Sequence, residues 1–596
     1  MCGIFGIVTQ KTQVLGPILI EAGHKLSYRG YDTVGVATIP RQGPIDLRKD
    51  VGRVEEVAAK YNFAKMCGDR AILQLRWATF GAPSQLNSQP HLDSDGDLVG
   101  AHNGNVVNNV ELRRQFIAEG LVVRSENDGE SCVHAVERYV DQGFEMVSAI
   151  RRATQDLEGD YSFVIGRRGE DCIYAVKMGS GLVVGLAEDG NCVSSDLPSV
   201  LPLTRKILRV MDGEIVTLWA DRVEIHKVDD GSLVTRQPET VEDSMEAVQK
   251  GGYAHFMLKE IHEQPKVAAE LLHLLENSPE VERMVERMRN ARNLYLVACG
   301  TSYHACMIGA VYLSRLAGRV AIPILAPQFI SQYGPALGPE DVGVFVSQSG
   351  ETKDVLNAIE VAEAKGTGVL GLVNVVGSML TLVSETWLPL ACGYEISVPA
   401  TKTFTNQVLA FLYLAFRLGR HDTQKLQQLP DLMVSTLKAV DAQVQAVEGF
   451  VNPWNDLYIL GYGLTYAIAL EGALKLKEIT YAHCEGMLST EFKHGPLSAV
   501  TDQYPVIFIA DPENIPLVVS GINEVTCRGA RAIVIGPDDP RLRANTHDLI
   551  VIPDADPVIY ALLSVLPLQL LSYRLCLARG YDPDFPRNLS KTLTVD

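Results

Sequence analysis

The chain has 596 residues, 47% hydrophobic and 21% charged, with a net charge of −19 at pH 7. Three domains are expected at that length and apolar content, and the acidic balance argues against nucleic acid or an anionic membrane surface as partner, since either would repel it. Eleven cysteines, without CxxC pairs or Cys/His groups at metal spacing, read as reduced thiols of a cytoplasmic protein, and no metal or organic cofactor is implied. The first element, CGIFGIV, places a thiol at position 2. Removal of Met1 would give Cys2 a free α-amine beside its thiol, a possible catalytic unit, and the apolar run is too short for a targeting signal. Short β segments follow to about residue 228: GVATI, AILQLRWAT, LVGAHNG, YSFVIG, CIYAVKM, LVVGLA and EIVTLWADRVEIHKV. Helical ILIEAGHKLSY and GESCVHAVERYVDQG interrupt them, so residues 2–228 read as a layered α+β domain. The polar, acidic stretch 229–252 reads as a linker.

Beyond the linker, strands alternate with long helices, the sign of parallel α/β units, over residues 253–430 and 431–585. The two are copies of one another. NLYLVACGTSYHACMIGAVYL from Asn293 aligns without gaps with DLYILGYGLTYAIALEGALKL from Asp456, and Gly300, Tyr303, Gly309 and Leu313 recur as Gly463, Tyr466, Gly472 and Leu476. The amphipathic stretch from Pro430 to Val451 is expected to join the copies as a helix. In the first copy the strand GVFVS runs into SQSGET and then a helix, so Ser347, Ser349 and Thr352, with backbone N–H groups, suit a phosphate monoester. The loop CGTSY, with Gly300, Thr301 and Ser302, leaves a neighbouring strand toward the same crevice. No Walker lysine is present, which disfavours a nucleoside triphosphate. The second copy carries ADPEN instead and is expected to have lost the site. Near the C-terminus, IYALLSVLPLQLLSYRLCLA contains Pro567, Gln569 and Arg574 and reads as a buried helix rather than a membrane span.

The paired ACGTSY and SQSGET loops resemble the sugar isomerase (SIS) domains that bind phosphosugars, and the N-terminal cysteine resembles class II glutamine amidotransferases. Over essentially the whole chain the combination is similar to the isomerising glutamine–fructose-6-phosphate aminotransferases. The resemblance implies a four-layer αββα N-terminal-nucleophile domain, two SIS domains and an active-site tail over 586–596. It also implies glutamine and fructose 6-phosphate as substrates, a homodimer, and amino-sugar biosynthesis as the setting. Cys2 would be the nucleophile with its own α-amine as general base, a group that titrates near ~7.7–8.0. Asn103 and Gly104 of AHNGN would stabilise the oxyanion. Arg76 of LRWAT would bind the glutamine carboxylate with Thr79, Asp128 of SENDGE would bind its ammonium, and Trp77 would gate ammonia. YRGYD, Tyr28 to Asp32, is a further landmark.

In the helix LEGALKLKEITYAHCEG, Glu471, Lys475 and Glu478 share one stripe. The resemblance makes Glu478 the proton carrier between C1 and C2, with Lys475 organising nearby charge. His494 of TEFKHGP would open the sugar ring, across a dimer interface, and Lys591 of PRNLSKTLTVD would form a Schiff base with the ketone. Thr301, Ser302, Ser347, Gln348, Ser349 and Thr352 would hold the phosphate. Several positions depart from the family pattern: Gln74 and Phe80 replace histidines, Asn127 replaces a threonine, and Pro399 and Ala400 replace an alanine and a sugar-contacting serine. The last pair leaves open an amidotransferase for another ketose phosphate; a separate rival is a non-catalytic phosphosugar sensor, against which the retained Glu478, His494 and Lys591 argue, because sensing alone needs none of them.

Overall fold

The computed structural model describes residues 2–241, 250–546 and 548–591. The chain divides into two compact units, Met1–Gln249 with Ser590–Asp596, and Lys250–Leu589.

The first unit stacks two antiparallel sheets. The eight-stranded sheet runs, from edge to edge, Glu239–Thr240, Lys206–Arg209, Val183–Ala187, Gly190–Ser194, Gly3–Val14, Cys67–Arg76, Thr33–Ile39 and Asp46–Val51. The seven-stranded sheet runs Leu233–Val234, Val223–Lys227, Glu214–Leu218, Ile173–Met178, Tyr161–Arg167, Leu98–Gly104 and His91–Leu92. Strand alternation makes the layers. Phe5 and Ile7 pack outward under helices Gly16–Leu26 and Val54–Lys60, whereas Ile4 and Val8 meet Val99, Ala101 and Val164 between the sheets. Tyr161, Phe163 and Ile165 face the other way, onto helices Asn109–Glu119, Asp128–Val140 and Met146–Asp156. The order is therefore helix, sheet, sheet, helix, the four-layer arrangement expected.

Two details differ from the sequence reading. EIVTLWADRVEIHKV is a hairpin of two strands, Glu214–Leu218 and Val223–Lys227, rather than one segment. The stretch read as a linker contributes Leu233–Val234 to the edge of one sheet and Glu239–Thr240 to the edge of the other. Such short edge strands are held by backbone pairing and need no apolar run to form them. Residues 242–249 of that stretch lie outside the described residues.

The second unit contains two five-stranded parallel sheets of identical strand order. The first runs Ile322–Leu325, Leu294–Ala298, Val342–Ser347, Gly368–Val373 and Thr386–Pro389; the second runs His483–Leu488, Asp456–Gly461, Pro505–Ile509, Arg531–Gly536 and Asp548–Val551. The repeat extends to backbone conformation: the aligned Gly300 and Gly463, at the strand-to-helix turns, have φ of 53° and 61°, a region that side chains with a Cβ enter at a cost. Gly309 and Gly472 are aligned close-packing points. A Cβ at either would stand 2.6 Å from Phe411 or Leu568, on helices Lys402–Gly419 and Pro557–Ala578 respectively. The two copies share one helical core, in which helices Phe256–Glu276 and Leu429–Val451 join the last helix. The helix Pro557–Ala578 is long and apolar enough to cross a membrane, yet from Ile559 to Cys576 every side chain but Arg574 is buried in this unit.

Candidate active sites

Cys2 precedes strand Gly3–Val14 and, by alternation, faces the layer between the sheets with Ile4 and Val8. Its thiol is buried. The Trp77 N–H donates to Sγ at 3.4 Å, and Sγ lies 3.6 Å from the Trp77 carbonyl. Burial pushes the thiol up, with the Trp77 backbone and the Arg76 guanidinium acting against it. The YRGYD landmark supports this corner: Arg29 donates to the Cys2 carbonyl at 3.2 Å and to Asp196 at 3.1 Å, Tyr28 donates to the same carboxylate, and Asp32 accepts the Ala78 N–H at 2.8 Å.

The polar groups around the thiol form a set suited to an amino-acid amide. Arg76 is buried and uses Nη2 on the carbonyls of Phe80 and Gly81, while its buried Nη1 has no partner among the described residues. Asp128 begins helix Asp128–Val140 fully buried. Its Oδ2 accepts the Val106 N–H at 3.1 Å and stands 3.1 Å from His102 Nε2, and its Oδ1 accepts from Asn127 Nδ2 at 3.2 Å. Burial alone would raise this carboxyl, but His102 and the backbone N–H groups hold it below the usual carboxylate range. Asn103 is fully buried, and among the described residues neither amide atom has a partner. Next to it Gly104 has φ 114°, where a Cβ would collide with the Asp160 carbonyl. An orphaned buried amide costs roughly 1–3 kcal/mol unless a ligand satisfies it, so Asn103 is arranged for an occupant. Trp77 is half-buried and Thr79 exposed.

In the second unit, the loop after strand Val342–Ser347 gathers hydroxyls at the start of helix Lys353–Ala364. The Gly350 N–H donates to Ser347 Oγ at 3.0 Å and the Glu351 N–H to Ser349 Oγ at 3.2 Å, while Ser347 Oγ and Thr352 Oγ1 are 2.9 Å apart. Ser302, at the start of helix Gly300–Ala317, accepts from Gln407 Nε2 at 2.9 Å. An N–H thus occupies the oxygen of Ser347, Ser349 and Ser302, and the Ser347–Thr352 pair uses one of its two protons internally, which leaves the remaining hydroxyl protons for an anion. Gln348 contributes a carbonyl that accepts the N–H groups of Asn374 and Val375, both at 3.2 Å. In the second copy the corresponding turn is filled from within: Asp511 Oδ1 accepts the N–H groups of Glu513 and Asn514 at 2.8 and 3.0 Å. A carboxylate thus stands where a phosphate would bind, consistent with the expected loss.

The charged stripe of helix Leu464–Thr480 is graded in depth. Glu471 is fully buried, 3.1 Å from Thr301 Oγ1 and 2.7 Å from His304 Nδ1. Lys475, also fully buried, lies 3.4 Å from Glu471, 2.6 Å from Glu478 Oε2, and donates to Thr301 Oγ1 at 3.1 Å. Burial would lower the ammonium, but Glu471 and Glu478 raise it above the ordinary lysine value. Glu478, at 18% side-chain exposure, is the member that reaches solvent. Thr301, expected among the phosphate hydroxyls, instead has its hydroxyl committed to Glu471 and Lys475. Pro399 and Ala400 lie in a segment held by two buried carboxylates: Glu260 accepts the N–H groups of Ile396 and Ser397, and Glu395 those of Thr401 and Thr403.

His494 ends a short 3-10 turn and is exposed, and among the described residues no hydrogen bond or ion pair joins its ring to Glu478 or Lys475. In the tail, the Arg587 guanidinium lies 4.0 Å over the Tyr481 ring and Asn588 takes a left-handed φ of 61°. Ser590 donates to the Arg29 carbonyl at 3.5 Å, and Lys591, half-buried, is the last described residue; 592–596 lie outside. The sequence reading missed His102, Gln89, His304 and Gln407. His102 sits inside the quoted AHNGN and His304 one residue past CGTSY, so motif adjacency was an available signal; Gln89 and Gln407 had none.

Residues 76–199 match the glutamine amidotransferase domain family, and residues 287–417 and 451–579 each match the SIS domain family. Over the full length of both chains, the sequence is 37% identical to the glutamine–fructose-6-phosphate aminotransferase (isomerizing) of Methanothermobacter thermautotrophicus and 38% identical to that of Pyrobaculum aerophilum. Among solved structures it is similar to the C-terminal domain of glucosamine-fructose-6-phosphate aminotransferase from Francisella tularensis, with TM-score 0.53 and 29% identity over 56% of this chain and 99% of that one.

Proposed function

Because the chain belongs to the isomerizing glutamine–fructose-6-phosphate aminotransferases, we propose a division of its labour between the two sites just described. The enzyme transfers the amide nitrogen of glutamine to fructose 6-phosphate and isomerises the product to glucosamine 6-phosphate. The single observation that carries the residue assignment is the fully buried Asn103 amide, unpartnered among the described residues and, by alternation with Ala101, on the same inter-sheet face as Cys2 is by alternation with Ile4.

In the first unit, the free α-amine of processed Cys2 takes the thiol proton, and sulfur attacks the side-chain amide carbon of glutamine. Asn103 Nδ2 and the Gly104 N–H receive the negative oxygen, each such donor contributing about 3–4 kcal/mol in acyl transfer. The Arg76 guanidinium faces the substrate carboxylate and Asp128 its ammonium. Collapse expels ammonia, protonated by the same amine, and water then releases glutamate from the thioester. In the second unit, Ser302, Ser347, Ser349, Thr352 and the N-terminus of helix Lys353–Ala364 hold the phosphate. Lys591 of the C-terminal tail, in the role its family motif implies, condenses with the C2 ketone, releasing water, and ammonia displaces it. Glu478 then takes a proton from C1 and returns it to C2 while the proton of the C1 hydroxyl passes to the imine nitrogen, leaving an aldehyde at C1 and an amine at C2, and Lys475, 2.6 Å away, orients the carboxylate.

The exposed position of His494 fits ring opening at a partner's site in a homodimer. The free thiols among the described residues fit a reducing, cytoplasmic setting. A panel of ketose phosphates offered with glutamine tests the substrate. Fructose 6-phosphate should give the highest kcat/KM and yield glucosamine 6-phosphate; glutamate without aminosugar from any of them would overturn the reading.

A further inference from the structure

We propose that Gln89 is a positioning residue that locks His102 as the neutral tautomer donating to Asp128, so that the whole charge of Asp128 is kept for the substrate ammonium. The inference rests on the reading of Asp128 as the ammonium ligand. Its geometry is determinate because a backbone N–H can only donate. The His102 N–H meets Gln89 Oε1 at 2.7 Å, which fixes the orientation of that amide. The Nε2 of the same amide is then a donor, 3.1 Å from His102 Nδ1 and 3.1 Å from the His102 carbonyl. Nδ1 must accept, so the ring proton is on Nε2, 3.1 Å from Asp128 Oδ2. A second proton on Nδ1 would point at an NH2 group.

The assembly is sealed. Gln89 and Asp128 are 0% and His102 1% exposed, and helix Asp128–Val140 can pack on the pair because position 129 is glycine: a Cβ there would come within 2.6 Å of His102 Nδ1. Gln74 Nε2 also donates to the His102 carbonyl, at 3.4 Å. The charged and titratable neighbours include Asp128, with Arg76 and the thiols of Cys2 and Cys132 close enough to act on it, and His91 on strand His91–Leu92. Behind His91 stand Lys49 of strand Asp46–Val51 and Glu130 of helix Asp128–Val140. Burial and then Lys49 push His91 well below the usual imidazole range, so it adds no cation. A carboxylate beside an unconstrained imidazole draws a second proton onto it. The resulting ion pair would compete with the substrate ammonium, and Gln89 works against that tendency.

The test measures glutamine hydrolysis by the full-length enzyme between pH 6 and pH 8, with glutamine and with 4-carbamoylbutanoate, which lacks the ammonium. For the native enzyme the KM for glutamine should stay flat. In Gln89→Met it should rise about tenfold from pH 8 to pH 6, as an imidazole with an open Nδ1 takes a proton in this range, with kcat changing much less. The KM for 4-carbamoylbutanoate should stay flat in both. Adding His102→Gln, which donates and cannot be protonated, should restore the flat profile. A flat profile in Gln89→Met, or equal rises for the two ligands, overturns the role of Gln89. If Gln89→Met does not fold, Gln89→Glu, whose carboxylate invites a proton onto Nδ1, should raise the KM of glutamine alone about tenfold at pH 7, and no such rise overturns it equally. Asp128→Asn separates the two claims: unchanged preference for glutamine over 4-carbamoylbutanoate would refute the ammonium assignment itself.

Discussion

Cys2→Ala should abolish glutamine hydrolysis and glutamine-dependent aminosugar formation, with kcat falling at least ~10,000-fold, the scale on which removing a covalent nucleophile acts. The side chain is buried against the Trp77 backbone, and alanine leaves that loop held by Asp32 and the residue 2 carbonyl held by Arg29. The variant should therefore fold and bind sugar phosphate as before. Steady-state release of glutamate, with calorimetric titration of fructose 6-phosphate as control, checks both halves. Residual hydrolysis within tenfold of the native rate would show that another group attacks the amide.

Glu478→Gln should lower aminosugar formation about 1,000-fold while leaving glutamine hydrolysis within about threefold, because a positioned proton carrier contributes some 10²–10⁴. The expectation follows from the graded stripe. Glu471 is fully enclosed by Thr301, His304 and Lys475, whereas Glu478 alone of the three charged side chains reaches solvent. Lys475 keeps Glu471 as a counter-ion in this variant, so the buried ammonium is not stranded. Lys591→Ala should give a comparable loss of aminosugar. Product formation at the native rate in Glu478→Gln would move the proton transfer to another residue.

Much of the fold was legible in the sequence because its signals are periodic. Alternation in CGIFGIV and YSFVIG separates the residues between the sheets from those under the helices, and the recurrence of Gly300 as Gly463 and of Gly309 as Gly472 reflects equal backbone demands in two copies. What escaped was held by backbone or by charge. Strand Asp46–Val51, DLRKDV, is a charged edge that pairs with Thr33–Ile39, and its charges hide it from an apolar pattern while protecting the edge. The strands Leu233–Val234 and Glu239–Thr240 sit in a polar stretch for the same reason.

At the sites, motifs pointed to loops rather than to hydrogen bonds. Thr301 follows Gly300 as a phosphate ligand would, yet its hydroxyl reaches Glu471 and Lys475, 170 and 174 residues away. Gln89 and Gln407 act only through His102 and Ser302, and neither relation has a sequence spacing. ADPEN differs for the opposite reason: the carboxylate of Asp511 is visible in the sequence, and in the structure it takes the N–H groups of Glu513 and Asn514.

The central claim is that one chain carries the amide nitrogen of glutamine to the sugar. Incubation with [amide-15N]glutamine, fructose 6-phosphate and excess unlabelled ammonium tests it most directly, by mass spectrometry of the aminosugar. The account predicts glucosamine 6-phosphate labelled at its amine nearly in full, with one glutamate formed per aminosugar. Glucosamine 6-phosphate carrying chiefly unlabelled nitrogen, or labelled ammonia released with no aminosugar formed, would contradict it.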